Sequence, residues 1–267
     1  MAKEKLNTLH QCNILTLTKT IAENSISKAG LIEAGKNIFI WIGKALFIII
    51  FSITCAYLFW YVRAWISTPI SNSYKWYVIW LDSTFFNTVP SLWAQQNIRH
   101  DIIDIFFRKI WFSYVYVLLF GATFIYTIRG QTKRYILSLI FTLSIGLVVH
   151  YLIPTQPPWM AVKGVIRING EEFTQFDKNL TAAMPSIHQA VICLFGCALR
   201  AHGILGKFFA ISYNILMALS IVYLGEHFFV DSVGGCLLAI SCWTLVQQIQ
   251  KTKFVSIIHC CLEKNRK

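Results

Sequence analysis

Three residues of this chain carry reactive groups at spacings that suit chemistry. His188 lies in the run Met184-Pro185-Ser186-Ile187-His188-Gln189, and His227 and Asp231 lie in Gly225-Glu226-His227-Phe228-Phe229-Val230-Asp231. His227 and Asp231 are four apart, so on a helix they share a face. A carboxylate so placed holds one ring nitrogen and leaves the other free to attack, the arrangement of a base and its orienter. His188 supplies a group that gives or takes a proton near neutrality. Ser186 and the amides beside it, at a helix start with Pro185 in the first turn, offer an anion cradle. Nucleophile, acid and cradle together describe phosphoryl transfer at a membrane surface.

Those residues must be carried by elements suited to an apolar solvent. Of the 267 residues 56% are hydrophobic and only 13% charged, against roughly 25% charged in an average soluble domain. This excludes a disordered chain and argues against a soluble enzyme. Six apolar stretches, at about 38–61, 110–128, 135–153, 186–204, 208–225 and 229–248, each approach the ~20 residues that cross a hydrocarbon core. They must be helices, because open strands in lipid leave backbone groups unpaired. The expected fold is all-α, an integral membrane bundle of six transmembrane helices. Segment 69–107, rich in Trp and Phe but broken by Asp82, Pro90 and Gln95–Gln96, reads as an interfacial or re-entrant piece between spans one and two; a seventh span there would disturb the topology.

The net charge of +12 acquires a meaning once the spans are drawn. Six spans put both termini on one side, where 15 basic residues face four acidic ones; the other side holds eight of each. Cytoplasmic loops collect Lys and Arg, so both termini are expected in the cytosol and both histidine motifs at the non-cytosolic face. No single soluble patch holds the charge, which removes nucleic acid as a partner. Residues 1–37 read as a cytosolic tail rather than a secretory signal, 38–250 as the catalytic membrane domain and 251–267 as a basic tail. The eight cysteines fall in tails or spans, so no disulfide framework is expected.

Pro-Ser-x-His followed by His-x-x-x-Asp in a six-span chain resembles the type 2 phosphatidic acid phosphatase superfamily. The resemblance covers about 135–248. It implies His227 as the nucleophile that forms a phosphohistidine, Asp231 as its orienter, His188 as general acid and Ser186 as a phosphate ligand. The chain departs from the family at two cationic clamps. Where the phosphatases carry Lys-x6-Arg-Pro, this chain reads from His150 to Trp159; in the third motif Ser220 matches, but Ile221 stands where an Arg would. The run Pro154-x-x-Pro157-Pro158-Trp159 with Glu226-His227 resembles the aureobasidin-resistance branch, the inositol phosphorylceramide synthases of sphingolipid metabolism. These move a head group from a phospholipid to a lipid alcohol.

A phosphomonoester carries about two charges and benefits from arginine clamps, whereas a diester carries one. The departures therefore favour head-group transfer, with a phosphatase on phosphatidate or a polyprenyl phosphate as the alternative and a non-enzymatic lipid or ion transporter as a third. The expected partners are a membrane phospholipid and a lipid or water acceptor. Lys163 and Arg167, with Lys178, are candidates to replace the clamps, and His150 to line the pocket. No metal or cofactor is expected, since histidine supplies the nucleophile. The outer loop 155–185 is long enough to cover the site, Gly196, Gly234 and Gly235 allow close helix packing, and the sequon at Asn179 is expected to carry no glycan.

Overall fold

The computed structural model describes residues 28–66, 69, 72–128, 130–170 and 179–264, with side chains described between residues 33 and 252. The helices are α1 (Lys28–Trp65), α2 (Trp76–Phe86), α3 (Pro90–Asn97), α4 (Asp101–Thr127), α5 (Thr132–Leu152), the single turn α6 (Pro158–Ala161), α7 (Ile187–Leu199), α8 (Gly203–Tyr223) and α9 (Phe229–Lys264). Residues up to Phe47 form one unit, whose described part is the first half of α1. Ile48 onward forms a second unit, which holds the helix packing and the site described below.

Among the described residues five helices are long and apolar enough to cross a bilayer: Glu33–Trp65, Asp101–Thr127, Thr132–Leu152, Gly203–Tyr223 and Phe229–Thr252. The fourth expected span differs. α7 has 13 residues, about 20 Å at 1.5 Å per residue, and it ends at Arg200 with the positive-φ Gly203 just beyond. Its environment explains the shortness. Eleven of its residues are buried, and it packs on α4, α5, α8 and α9. A helix apolar all round is a central helix, and one sheathed by others need not match the thickness of the hydrocarbon. The outer faces of its neighbours remain apolar and exposed, as at Phe112, Phe120 and Phe124 on α4 and Phe208, Ile211 and Ile215 on α8. Such faces suit lipid rather than water.

Other boundaries also move. α1 begins within the expected tail, and α9 runs on through most of the expected C-terminal tail. Residues 101–107 belong to α4, whose start is capped by the His100 ring and carries Asp101 and Asp104 in its first turn, where acids favour the helix dipole. The remainder of the interfacial segment forms α2 and α3, of 11 and 8 residues. Neither is long enough to cross a bilayer, so the described residues form no seventh span there.

Close approach around α7 depends on glycine. A Cβ on Gly235 would stand 2.3 Å from the Ser186 carbonyl oxygen, and one on Gly146 2.5 Å from Ile187 Cδ1. Gly235 therefore lets the start of α9 lie against the start of α7. Outside the helices, parallel bridges join Tyr74 to Thr155 and Thr155 to Ala182, tying the connections into a roof at one end of the bundle.

Candidate active site

Chain direction alternates through the bundle, so the C-terminal ends of α1, α5 and α8 meet the N-terminal ends of α7 and α9. At this end a cavity of about 70 Å³ is lined by Arg63, Trp111, Tyr114, His150, Arg167, His188, Glu226 and His227, among others. A smaller recess of about 30 Å³ shares Arg63, Arg167, His188, Glu226 and His227 and reaches Trp159 and Asn179.

His188 and His227, 39 residues apart in the chain, touch: His188 Nδ1 lies 3.0 Å from His227 Nε2. The other ring nitrogen of His227 lies 3.6 Å from Asp231 Oδ2. That is an ion-pair distance, longer than a hydrogen bond, and such contacts commonly tighten only when substrate is bound. Asp231 is fully buried and accepts the Phe228 amide at 2.8 Å, which fixes the carboxylate. Tyr114 packs edge-on against the His188 ring at 4.2 Å between centroids, with Trp111 at 5.6 Å. These rings hold the imidazole facing His227.

The start of α7 is set by Ser186. Its hydroxyl accepts the Gln189 amide, making Ser186 the N-cap, and its own N–H donates to the Asp231 carbonyl at 3.0 Å. The residue is wholly buried and does not line the cavity. In this structure the Ser186 hydroxyl caps its own helix, and its N–H ties the two histidine-bearing elements together. Pro185 precedes the cap instead of sitting in the first turn. His150 lines the cavity and its Nε2 donates to the Pro185 carbonyl at 3.0 Å, bracing the same corner.

Of the candidate cations, Lys163 is exposed and away from the cavity, and Lys178 lies outside the described residues. Arg167 is inside. Its Nε and Nη2 donate to the two carboxylate oxygens of Glu226 at 2.9 and 3.1 Å, and Asn169 Nδ2 adds a third bond to Glu226 at 2.9 Å. Trp159 lies under the guanidinium, 5.2 Å away, so this residue has a contact at the site.

Sequence reasoning missed Arg63, Glu226 and Asp82. Arg63, at the end of α1, lines both spaces and exchanges two bonds with Asn179: its Nη2 donates to the Asn179 carbonyl, and Asn179 Nδ2 donates to the Arg63 carbonyl. Asn179 is buried, and its Nδ2, the atom a glycan would take, is held in that bond. The signal for Glu226 was present, an acid beside the nucleophile candidate. Asp82, fully buried on α2, accepts the Phe229 and Val230 amides at 2.9 and 3.0 Å. It thereby satisfies free N–H groups at the start of α9. Burial pushes its carboxyl up to about 6, opposed by those two bonds. Among the described residues no group of three or more His, Cys, Asp or Glu is placed to hold a metal ion.

The PAP2 superfamily, the type 2 phosphatidic acid phosphatases, matches residues 85–245. That is more than half of the chain, and the chain belongs to this superfamily. It is a multi-pass membrane enzyme of the phosphatase type, which sets the transporter alternative aside. It is similar to the crystal structure of Aquifex aeolicus LpxE, with 20% identity over 58% of this chain and 92% of that one and a TM-score of 0.49. No curated protein matches the chain.

Proposed function

We propose that the protein transfers a phosphoryl-linked head group between membrane lipids through a phosphohistidine on His227, in the manner of the inositol phosphorylceramide synthases. The observation that carries this reading is the contact of His188 with His227, backed by Asp231. With a proton on Nδ1 facing Asp231, His227 Nε2 keeps its lone pair, and His188 Nδ1–H donates to it. Nitrogens 3.0 Å apart leave no room for phosphorus between them, so the rings part as the substrate enters. His227 Nε2 then bonds to phosphorus, the bond from phosphorus to the leaving oxygen breaks, and that oxygen takes the His188 proton. In the second half His188 takes the proton of an acceptor hydroxyl. The hydroxyl oxygen bonds to phosphorus, and the bond to His227 breaks.

The sequence supports transfer over hydrolysis, because two family clamps are replaced by the His150–Trp159 run and by Ile221. A second reading, a phosphatase on phosphatidate or a polyprenyl phosphate, is favoured by one observation: Arg63 and Arg167 both line the cavity and give a monoester two cations. The surplus of basic residues on the termini side supports a site opening on the non-cytosolic face. Purified protein in lipid nanodiscs is to be incubated with labelled phosphatidylinositol, phosphatidate or a polyprenyl phosphate, with ceramide present, and the products identified by mass. Transfer to ceramide is the expected result; release of inorganic phosphate supports the second reading. His227→Ala abolishes every product while remaining monodisperse, and residual transfer in that variant overturns the mechanism.

A further inference from the structure

The backbone amides from Glu226 to Asp231 carry the nucleophile candidate and its orienter, and each has an acceptor. Glu226 and His227 donate to the Ile221 carbonyl at 3.0 and 3.1 Å, and Asp231 donates to the Phe228 carbonyl at 3.1 Å. Phe228 donates to Asp231 Oδ2 at 2.8 Å. Those acceptors belong to the same stretch of chain. Phe229 and Val230 differ: their amides go to Asp82 Oδ2 and Oδ1, 147 and 148 positions away. One carboxylate from α2 therefore holds two consecutive N–H groups in the first turn of α9, on the segment that links His227 to Asp231. The same two elements also pack by side chain. Phe86 meets Phe229 edge-on at 5.0 Å between centroids, and Val78 of α2 shares a small apolar core with Val89, Phe228 and Val230.

We infer that Asp82 is a positioning residue for the reaction, which holds the first turn of α9 so that Asp231 meets the Nδ1 side of His227. This rests on the phosphoryl-transfer reading above and deepens it. Asp82 lines neither space at the site, so it acts through Asp231. Its chemistry suits the task. A helix start can be capped by a neutral Ser, Thr or Asn, and a fully buried carboxylate is a costlier choice. What the carboxylate adds is a pair of equivalent acceptors, so both amides are held at once and each bond is charge-assisted. The geometry it frames is fine. His227 Nδ1 stands 3.6 Å from Asp231 Oδ2, so a shift of a few tenths of an ångström in the first turn of α9 decides whether that contact closes to a hydrogen bond. Asp231 is also held on its other side, where its carbonyl accepts the Ser186 amide at 3.0 Å. Asp82 and Ser186 thus grip the first turn of α9 from two different elements.

The test measures kcat and KM in nanodiscs, on whichever of phosphatidylinositol with ceramide, phosphatidate or a polyprenyl phosphate the wild type turns over, and on a nitrophenyl phosphate ester. Asp82→Asn keeps the shape but offers one acceptor oxygen to two amides. Its kcat is expected to fall about 10- to 100-fold with KM little changed. The loss is expected to be equal on lipid and nitrophenyl ester, since the nucleophile is affected and not the proton donor. Combined with Asp231→Asn, it is expected to lower kcat no further than Asp231→Asn alone, because a residue that acts through another then has nothing left to act on. A merely structural loss multiplies instead. Asp82→Glu keeps both oxygens, one methylene further out, and is expected to recover part of the lost kcat; the same cycle is built on it if Asp82→Asn does not fold. Losses that multiply in the cycle, a change in KM with kcat intact, a loss confined to the lipid, or failure of both Asp82 variants to fold each overturns the inference while leaving phosphoryl transfer intact. A wild type that turns over none of the lipids overturns the reaction and this inference together.

Discussion

At the residue scale the chemistry turns on which nitrogen of His227 holds the proton. Asp231 lies on the Nδ1 side of the ring, so in the proposed mechanism it selects the tautomer whose Nε2 attacks. Asp231→Asn offers an amide donor instead and favours the proton on Nε2, the wrong atom. We expect kcat to fall on the order of 10²–10⁴-fold with the protein still folded, measured by product formation in nanodiscs. His188→Ala should behave differently. It should slow a natural lipid far more than a nitrophenyl ester, whose leaving group needs no proton, whereas His227→Ala should lose both. Equal losses in His188→Ala on the two substrates would remove His188 from the acid role. The two histidines and Asp231 were legible because their spacing encodes their geometry. Arg63 was not: it meets Asn179 from 116 positions away, and no local pattern records such a contact. A serine before a helix can serve as a phosphate ligand or as an N-cap, and in this structure Ser186 caps, its hydroxyl accepting the Gln189 amide.

At the scale of elements, the register between α7 and α9 sets the distance between the two rings. Gly235 permits that register, since its Cβ position lies 2.3 Å from the Ser186 carbonyl oxygen, the atom that also accepts the Ala190 amide in the first turn of α7. Backbone cannot yield there without moving His188. At Gly234 the nearest atom is the flexible tip of Met184, 3.1 Å away. Gly235→Ala should therefore cost about 1–3 kcal/mol of stability and lower kcat, while Gly234→Ala should stay near wild type in both melting temperature and turnover. Similar effects at the two positions would deny α7–α9 contact its special role. The helical character of the spans was plain from their apolar length, but their ends were not. Residues 101–107 were read with the interfacial segment 69–107, whose breaks at Asp82, Pro90 and Gln95–Gln96 lie before them, yet they open the helix Asp101–Thr127, and a helix can run out of the bilayer without a break. α7 looked like a full span because apolar length cannot tell a lipid-facing helix from one enclosed by protein.

For the molecule as a whole, the question is which side the reactive end faces. α8 runs 21 residues, about 30 Å, from the turn holding Lys207 to the turn before His227, so these two turns lie at opposite faces. Lys207 and Lys163 are both exposed, Lys207 at the far end of the bundle and Lys163 in the roof near the site. The cation count puts Arg129, Lys133, Arg134, Arg200 and Lys207 with the termini. Arg134 is buried, bonded to the Trp243 carbonyl and lying 4.0 Å over the Trp243 ring, so it anchors the bundle at that end rather than decorating a loop. The positive-inside rule favours the cytosol for this end, in line with the proposed orientation. In a parent with Cys12, Cys260 and Cys261 changed to Ser, Lys163→Cys should react with a membrane-impermeant maleimide added outside intact cells. Lys207→Cys should react only after permeabilisation. Active protein with the opposite labelling pattern would turn the reactive end to the cytosol, and would require a donor lipid drawn from the inner leaflet.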